Sequence, residues 1–178
     1  MKRMIVVVLA CALVLLAVAQ TGCGGDTKKA QKYMNKGDSL YRQAMEKASE
    51  WQTKVTSTSN ITDPAGFQDA VGKSKTLSSE VLKISDEAGA EYKKIYKISG
   101  VENYKKYADI RIAEIDVLDQ IVKTMNDTLD KAIALRDSGN QGAFALLYQG
   151  AIKQLESLTK KGQSLENEAA KLRLDKNL

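Results

Sequence analysis

The spacing of apolar residues constrains this chain more tightly than any other feature. From about residue 27 onward they recur at intervals of three and four, the period of one helix face. Alternating Val/Ile/Thr strand patterns do not appear, and Pro64 is the one proline. Four long helices are expected. The first covers about 27–56, with Met34, Gly37, Tyr41, Ala44, Ala48, Trp51 and Val55 along one seam. The polar stretch TSTSNIT breaks it, and Asp63 then caps a helix that carries Pro64 at its first position, where the missing N–H costs nothing. That second helix covers about 64–99, with Phe67, Ala70, Ser74, Leu77, Val81, Ile84, Ala88, Ile95 and Ile98 in line. Glu91 interrupts the row, and Tyr92 beside it covers the gap.

The third helix covers about 102–138, along Tyr104, Ala108, Ile115, Leu118, Val122, Met125, Leu129 and Ala132. Arg111 and Arg136 fall on that seam. The fourth covers about 140–174, along Phe144, Tyr148, Ala151, Leu155, Leu158, Gly162, Leu165, Ala169 and Leu172. Gly100 and Gly139 suit left-handed helix ends. Short connections make neighbouring helices antiparallel. The fold class expected is all-α, an up-down-up-down antiparallel four-helix bundle over 27–178. The helices are too long for a tetratricopeptide array, whose helices run to about a dozen residues.

The chain opens Met1-Lys2-Arg3 and continues with the apolar run MIVVVLACALVLLAVA, residues 4–19. A positive start, a short apolar run and small residues after it make a secretory signal. The run falls short of the roughly 20 residues a spanning helix needs. The following residues, Thr21-Gly22-Cys23, resemble the lipobox of bacterial lipoproteins, although Gln20 stands where an aliphatic residue is usual. The resemblance covers residues 1–26. It implies removal of 1–22, acylation of Cys23, and a short tether over 23–26. Cysteine usage agrees. Cys11 leaves with the signal, so the mature chain keeps one cysteine, and a lone thiol is a liability in an oxidising exterior. The alternative is cleavage after Ala17-Val18-Ala19, giving a soluble secreted protein that begins at Gln20.

In an up-down bundle the start of helix 1, the helix 2–3 turn and the C-terminus share one end, here termed proximal. Residues 23–42, 85–112 and 159–178 hold 16 Lys/Arg and 10 Asp/Glu, net +6. The distal residues 43–84 and 113–158 hold 9 and 12, net −3. The turn YKKIYKISGVENYKKY gathers Tyr92, Tyr96, Tyr104 and Tyr107 among Lys93, Lys94, Lys97, Lys105 and Lys106. Tyrosine suits a membrane interface and lysine an anionic surface. These residues are expected to face the membrane.

The chain has no histidine. That removes histidine-dependent triads, most zinc sites and the Glu-x-x-His pairs of ferritin-like bundles. No phosphate loop or nucleophile elbow is present, nor a nucleic-acid motif. Asp109, Glu114, Asp116 and Asp119 are the remaining carboxylates worth testing for a hard cation. A buried Arg111 would need a carboxylate partner. Gly37 and Gly162 on seams point to close backbone approach or a local gap. Asn60-Ile61-Thr62 and Asn126-Asp127-Thr128 match the short glycosylation sequon. No cofactor, metal or catalytic residue is expected. The reading is an exported, lipid-anchored, non-enzymatic binding or scaffold module whose distal turns, near Asp63 and Asn140, meet a protein partner. The alternative is a carrier holding a small apolar ligand between its helices.

Overall fold

A computed structural model describes residues 25–139 and 141–178. The signal segment, Cys23 and the Asn140 position lie outside the described residues. Four helices follow in order: α1 (Gly25–Thr58), α2 (Pro64–Ile95), α3 (Glu102–Asp137) and α4 (Gln141–Lys176). No strand occurs among the described residues. At 1.5 Å per residue the helices are about 50 Å long. The fold is an all-α bundle of long helices. Cross-helix pairs fix its direction. Lys36 meets Glu91 and Lys47 meets Glu80 between α1 and α2, so residue numbers fall on one helix as they rise on the other. Tyr96 meets Asp109 and Lys75 meets Asp130 between α2 and α3, with the same inverse order.

Helix ends follow local chemistry. The Asp63 Oδ1 accepts from the Gly66 N–H at 2.6 Å, an N-cap for α2 ahead of Pro64. α1 runs two residues beyond the expected end. Hydroxyls of Thr53, Thr56, Ser57 and Thr58 bond back to carbonyls three or four residues earlier, and Thr58 is buried. α2 stops at Ile95, short of the expected 99. The chain instead turns so that Ile98 and Val101 enter the core, and Gly100 takes a φ of 72°. At the end of α4 the Leu178 N–H reaches the Arg173 carbonyl at 3.0 Å, around Asn177 at a φ of 55°, the wrap of a Schellman end.

The apolar interior forms three clusters along the axis. The proximal one joins Ala30 and Met34 of α1, Ala88, Tyr92 and Ile95 of α2, Tyr104, Tyr107 and Ile115 of α3, and Ala169 of α4. The middle one is built by α1, α2 and α3, around Ala44, Trp51, Val81, Leu118 and Val122. The distal one holds Phe67, Val71, Leu129 and Ala132, with Leu147 and Tyr148 of α4 against it. Among the described residues α1 packs on α2, α2 on α3 and α3 on α4, but the backbones of α1 and α4 do not come together. The bundle is therefore open along its fourth side. Leu155, Leu158 and Leu165 on the middle of α4 are only half-buried. No helix among the described residues is long and apolar enough to cross a membrane.

Candidate functional site

The expected membrane-facing cluster divides into two groups. Tyr92 and Tyr107 are fully buried and Tyr104 is buried at 8% exposure, so these three tyrosines do not face outward. Their rings fill the proximal cluster instead, Tyr92 edge-on to Tyr107 at 6.4 Å. The correction has a physical cause: two of the phenols have a buried carboxylate to reach, which offsets the cost of taking a hydroxyl into the core. Tyr96 remains exposed at 42% and donates to Asp109 at 2.5 Å. Burial and that carboxylate together push its phenol up to about 12. Lys93, Lys97 and Lys106 are exposed. Lys94 lies 5.6 Å from the Tyr33 ring centroid and pairs with Glu91. Lys105 pairs with Glu102.

The carboxylate that orders the tyrosines is Asp38 on α1. Its Oδ1 accepts from the Tyr92 hydroxyl at 2.7 Å and the Tyr107 hydroxyl at 3.0 Å, while its Oδ2 accepts from Arg173 Nη1 of α4 at 2.9 Å. Gly37 makes this possible. A Cβ at that position would stand 2.6 Å from Tyr92 Cε1, so only glycine lets the ring lie against the α1 backbone beside Asp38. Gly162 is different: its added Cβ would meet Val117 at an ordinary 3.6 Å.

Arg111 extends the network along α3. Its Nε donates to the Tyr107 oxygen at 2.9 Å, and its Nη1 donates to Glu114 at 2.7 Å and to Glu166 of α4 at 2.5 Å. The guanidinium also lies over the Tyr41 and Tyr107 rings, at 5.6 and 5.1 Å. All four helices thus contribute to one buried polar cluster, which bridges the side where α1 and α4 backbones stay apart.

Its protonation follows from burial. Water exclusion outweighs the opposing pull of Arg111 and, with a hydrogen bond to Glu166 that favours the protonated form, leaves the Glu114 carboxyl pushed up to about 8. Glu166 is less buried, and Arg111 holds it below the ordinary carboxylate value despite that burial. One proton is therefore shared between the two acids at neutral pH, with Glu114 carrying it. Asp38 and Glu166 then balance Arg111 and Arg173. Burial also raises the Tyr92 and Tyr107 phenols, which stay protonated as donors to Asp38. Each member has a partner inside the cluster, so its chemistry is that of a helix-register lock.

The other carboxylates of the α3 run do not gather. Asp109 serves Tyr96, Glu114 serves Arg111, Asp116 is exposed, and Asp119 is half-buried with one oxygen lacking a hydrogen-bond partner. Among the described residues no three acids are grouped to hold a metal ion. Arg136, the second seam arginine, stacks 4.2 Å over Phe67 and donates to the Ile61 carbonyl, tying α3 to the α1–α2 turn. One surface groove of about 390 Å³ opens between α3 and α4, with Ile110 and Leu172 in its floor and Lys106, Asp109, Glu168, Lys171 and Asp175 around it. It is open to solvent and does not enclose a ligand between the helices.

Sequence reasoning required a partner for Arg111 but did not name Asp38, Glu166 or Arg173. Each sits one position beside a seam residue, next to Gly37, Leu165 and Leu172, where a solvated flank and a buried pair look alike. The fold and site together define an all-helical bundle locked by an internal ion cluster. Comparison with known proteins gave no matching family model, no matching curated protein and no matching solved structure.

Proposed function

We propose that this is an exported protein anchored by acyl chains on Cys23, acting at the cell envelope as a rigid, non-enzymatic binding or scaffold module. The observation that carries the reading is the placement of Cys23. It is the only cysteine left once the apolar run of residues 4–19 is removed, and α1 begins two residues later at Gly25. At least two acyl chains make a stable anchor, each buried CH₂ contributing about 0.8 kcal/mol. A tether this short keeps the proximal end of the bundle at the lipid surface. The distal end, with its acidic balance, is left to meet a partner.

The ion cluster supports a scaffold role. A lock contributed by four helices holds the bundle in one register, which suits a module that presents a fixed surface to a partner. The apolar-carrier alternative gains nothing from the surface groove or from Gly162, whose neighbourhood is ordinary packing. The intact mass of the mature N-terminus from the native host tests the proposal. A diacylated or triacylated Cys23 supports it. An unmodified chain beginning at Gln20 overturns it.

A further inference from the structure

The proximal lysines are not spread evenly around the bundle. The proximal turns of α1 and α2, residues 25–36 and 91–97, hold seven lysines against two carboxylates, net +5. The matching turns of α3 and α4, residues 102–109 and 166–176, hold five cations against five carboxylates, net zero. The two stretches of the first pair belong to helices packed side by side. Lys36 of α1 and Lys94 of α2 both reach the buried Glu91, at 2.6 and 2.8 Å, and so stand on one shared flank. Lys28, Lys32 and Lys36 follow one another at intervals of four on α1, which places them on one stripe, while Lys93 and Lys94 stand on the last turn of α2 and Lys97 in the turn just beyond it. All are exposed, as is Lys29. On the other flank the surface charges alternate in sign, and Glu166 and Arg173 are drawn into the internal cluster.

Resting on the lipid-anchor reading above, we propose that the bundle lies tilted on its α1/α2 flank, with Lys28, Lys29, Lys32, Lys93 and Lys97 against anionic phospholipid headgroups. Geometry favours tilt over an upright stance. Counting about 1.5 Å per residue from Gly25, an upright α1 carries Lys32 roughly 10 Å and Lys36 roughly 16 Å above its own start. The field of an anionic leaflet fades within a Debye length, about 8 Å at physiological salt. Laying the flank down returns the whole stripe to that field, whereas laying down the neutral α3/α4 flank gains nothing.

The test compares two full-length variants of equal net charge. One carries Lys→Gln at positions 28, 32, 93 and 97. The control carries Lys→Gln at 105, 106, 171 and 176, the lysines of the matching turns of α3 and α4. Both keep the same N-terminus, so its contribution to membrane binding cancels. Partition is measured on vesicles of phosphatidylcholine with about one-third phosphatidylglycerol, and circular dichroism confirms that both variants are helical. The α1/α2 variant is expected to lose about thirtyfold or more in partition, and the control less than about threefold. Equal losses, or no loss in the first variant, overturn the tilted orientation. Failure of Cys23 acylation shows separately in the mass measurement and leaves this comparison readable.

Discussion

Tyr92 and Trp51 sit at similar depth, fully buried and 4% exposed, yet their polar atoms meet different fates. The Tyr92 hydroxyl donates to Asp38 at 2.7 Å, whereas the Trp51 indole N–H has no hydrogen-bond partner. The contrast holds for the regions around them. The proximal third is packed around charges that reach one another across all four helices. The middle third is packed by apolar side chains of α1, α2 and α3 without α4. Apolar contacts tolerate sliding by a turn, but a charge network does not, since a shifted register strands a buried ion. The proximal end sets the alignment of the helices, while apolar contacts join them in the middle third.

The strongest way to break that contrast is to remove the central cation. Arg111→Met leaves Asp38, Glu114 and Glu166 around a site without its charge and is expected to cost about 3–5 kcal/mol in urea unfolding. A loss below about 1 kcal/mol would place register control elsewhere. Next in size is a pH effect on the order of a few kcal/mol. Between pH 4.5 and 8 the unfolded chain has released the Glu114 proton and the folded chain still holds it. Stability therefore falls as pH rises through that window and levels off above it. Glu166, shifted the opposite way, loses its proton first in the folded state, so its contribution is gained as pH rises toward 4.5. Unfolding midpoints should peak near pH 5, and Glu114→Gln should flatten the decline above it.

Two glycines sharpen the comparison at a smaller scale. Gly37→Ala drives a methyl into the Tyr92 ring and is expected to cost about 1–3 kcal/mol. Gly162→Ala meets only Val117 at 3.6 Å and gains helix propensity of up to about 1 kcal/mol, so its melting temperature should hold or rise. The smallest effect belongs to the distal surface. The Lys75–Asp130 pair, both partners substantially exposed, should be worth less than about 1 kcal/mol in a double-mutant cycle and should fade with salt.

The helices were legible because apolar spacing repeats over more than 30 residues in each, and their ends came within a few positions. α2 was overextended because Ile98 continues the periodic row, although it reaches the core through a turn. The burial of Tyr92, Tyr104 and Tyr107 was illegible for a related reason, while Tyr96 stays exposed. A tyrosine beside lysines in sequence suits either a headgroup layer or a core with a buried acceptor, and the acceptor lay on another helix. Arg111 was the readable part of the site, since one charge on an apolar seam requires a counter-charge. Glu114, three residues on along α3, lies within local reach, but that Asp38 and Glu166 also gather around the guanidinium depends on how the helices align, and no local pattern encodes that.

The pairing of Asp38 with Arg173 has a consequence for how the molecule forms. These residues stand 135 positions apart, whereas α1–α2 and α3–α4 contacts close across short connections. Loop closure costs more as the closed loop lengthens, and contacts near in sequence form sooner. Contacts between successive helices should thus form before the first helix finds the last. The late ion pair then acts as a checkpoint in assembly, engaging only when the outer helices have met in the native alignment.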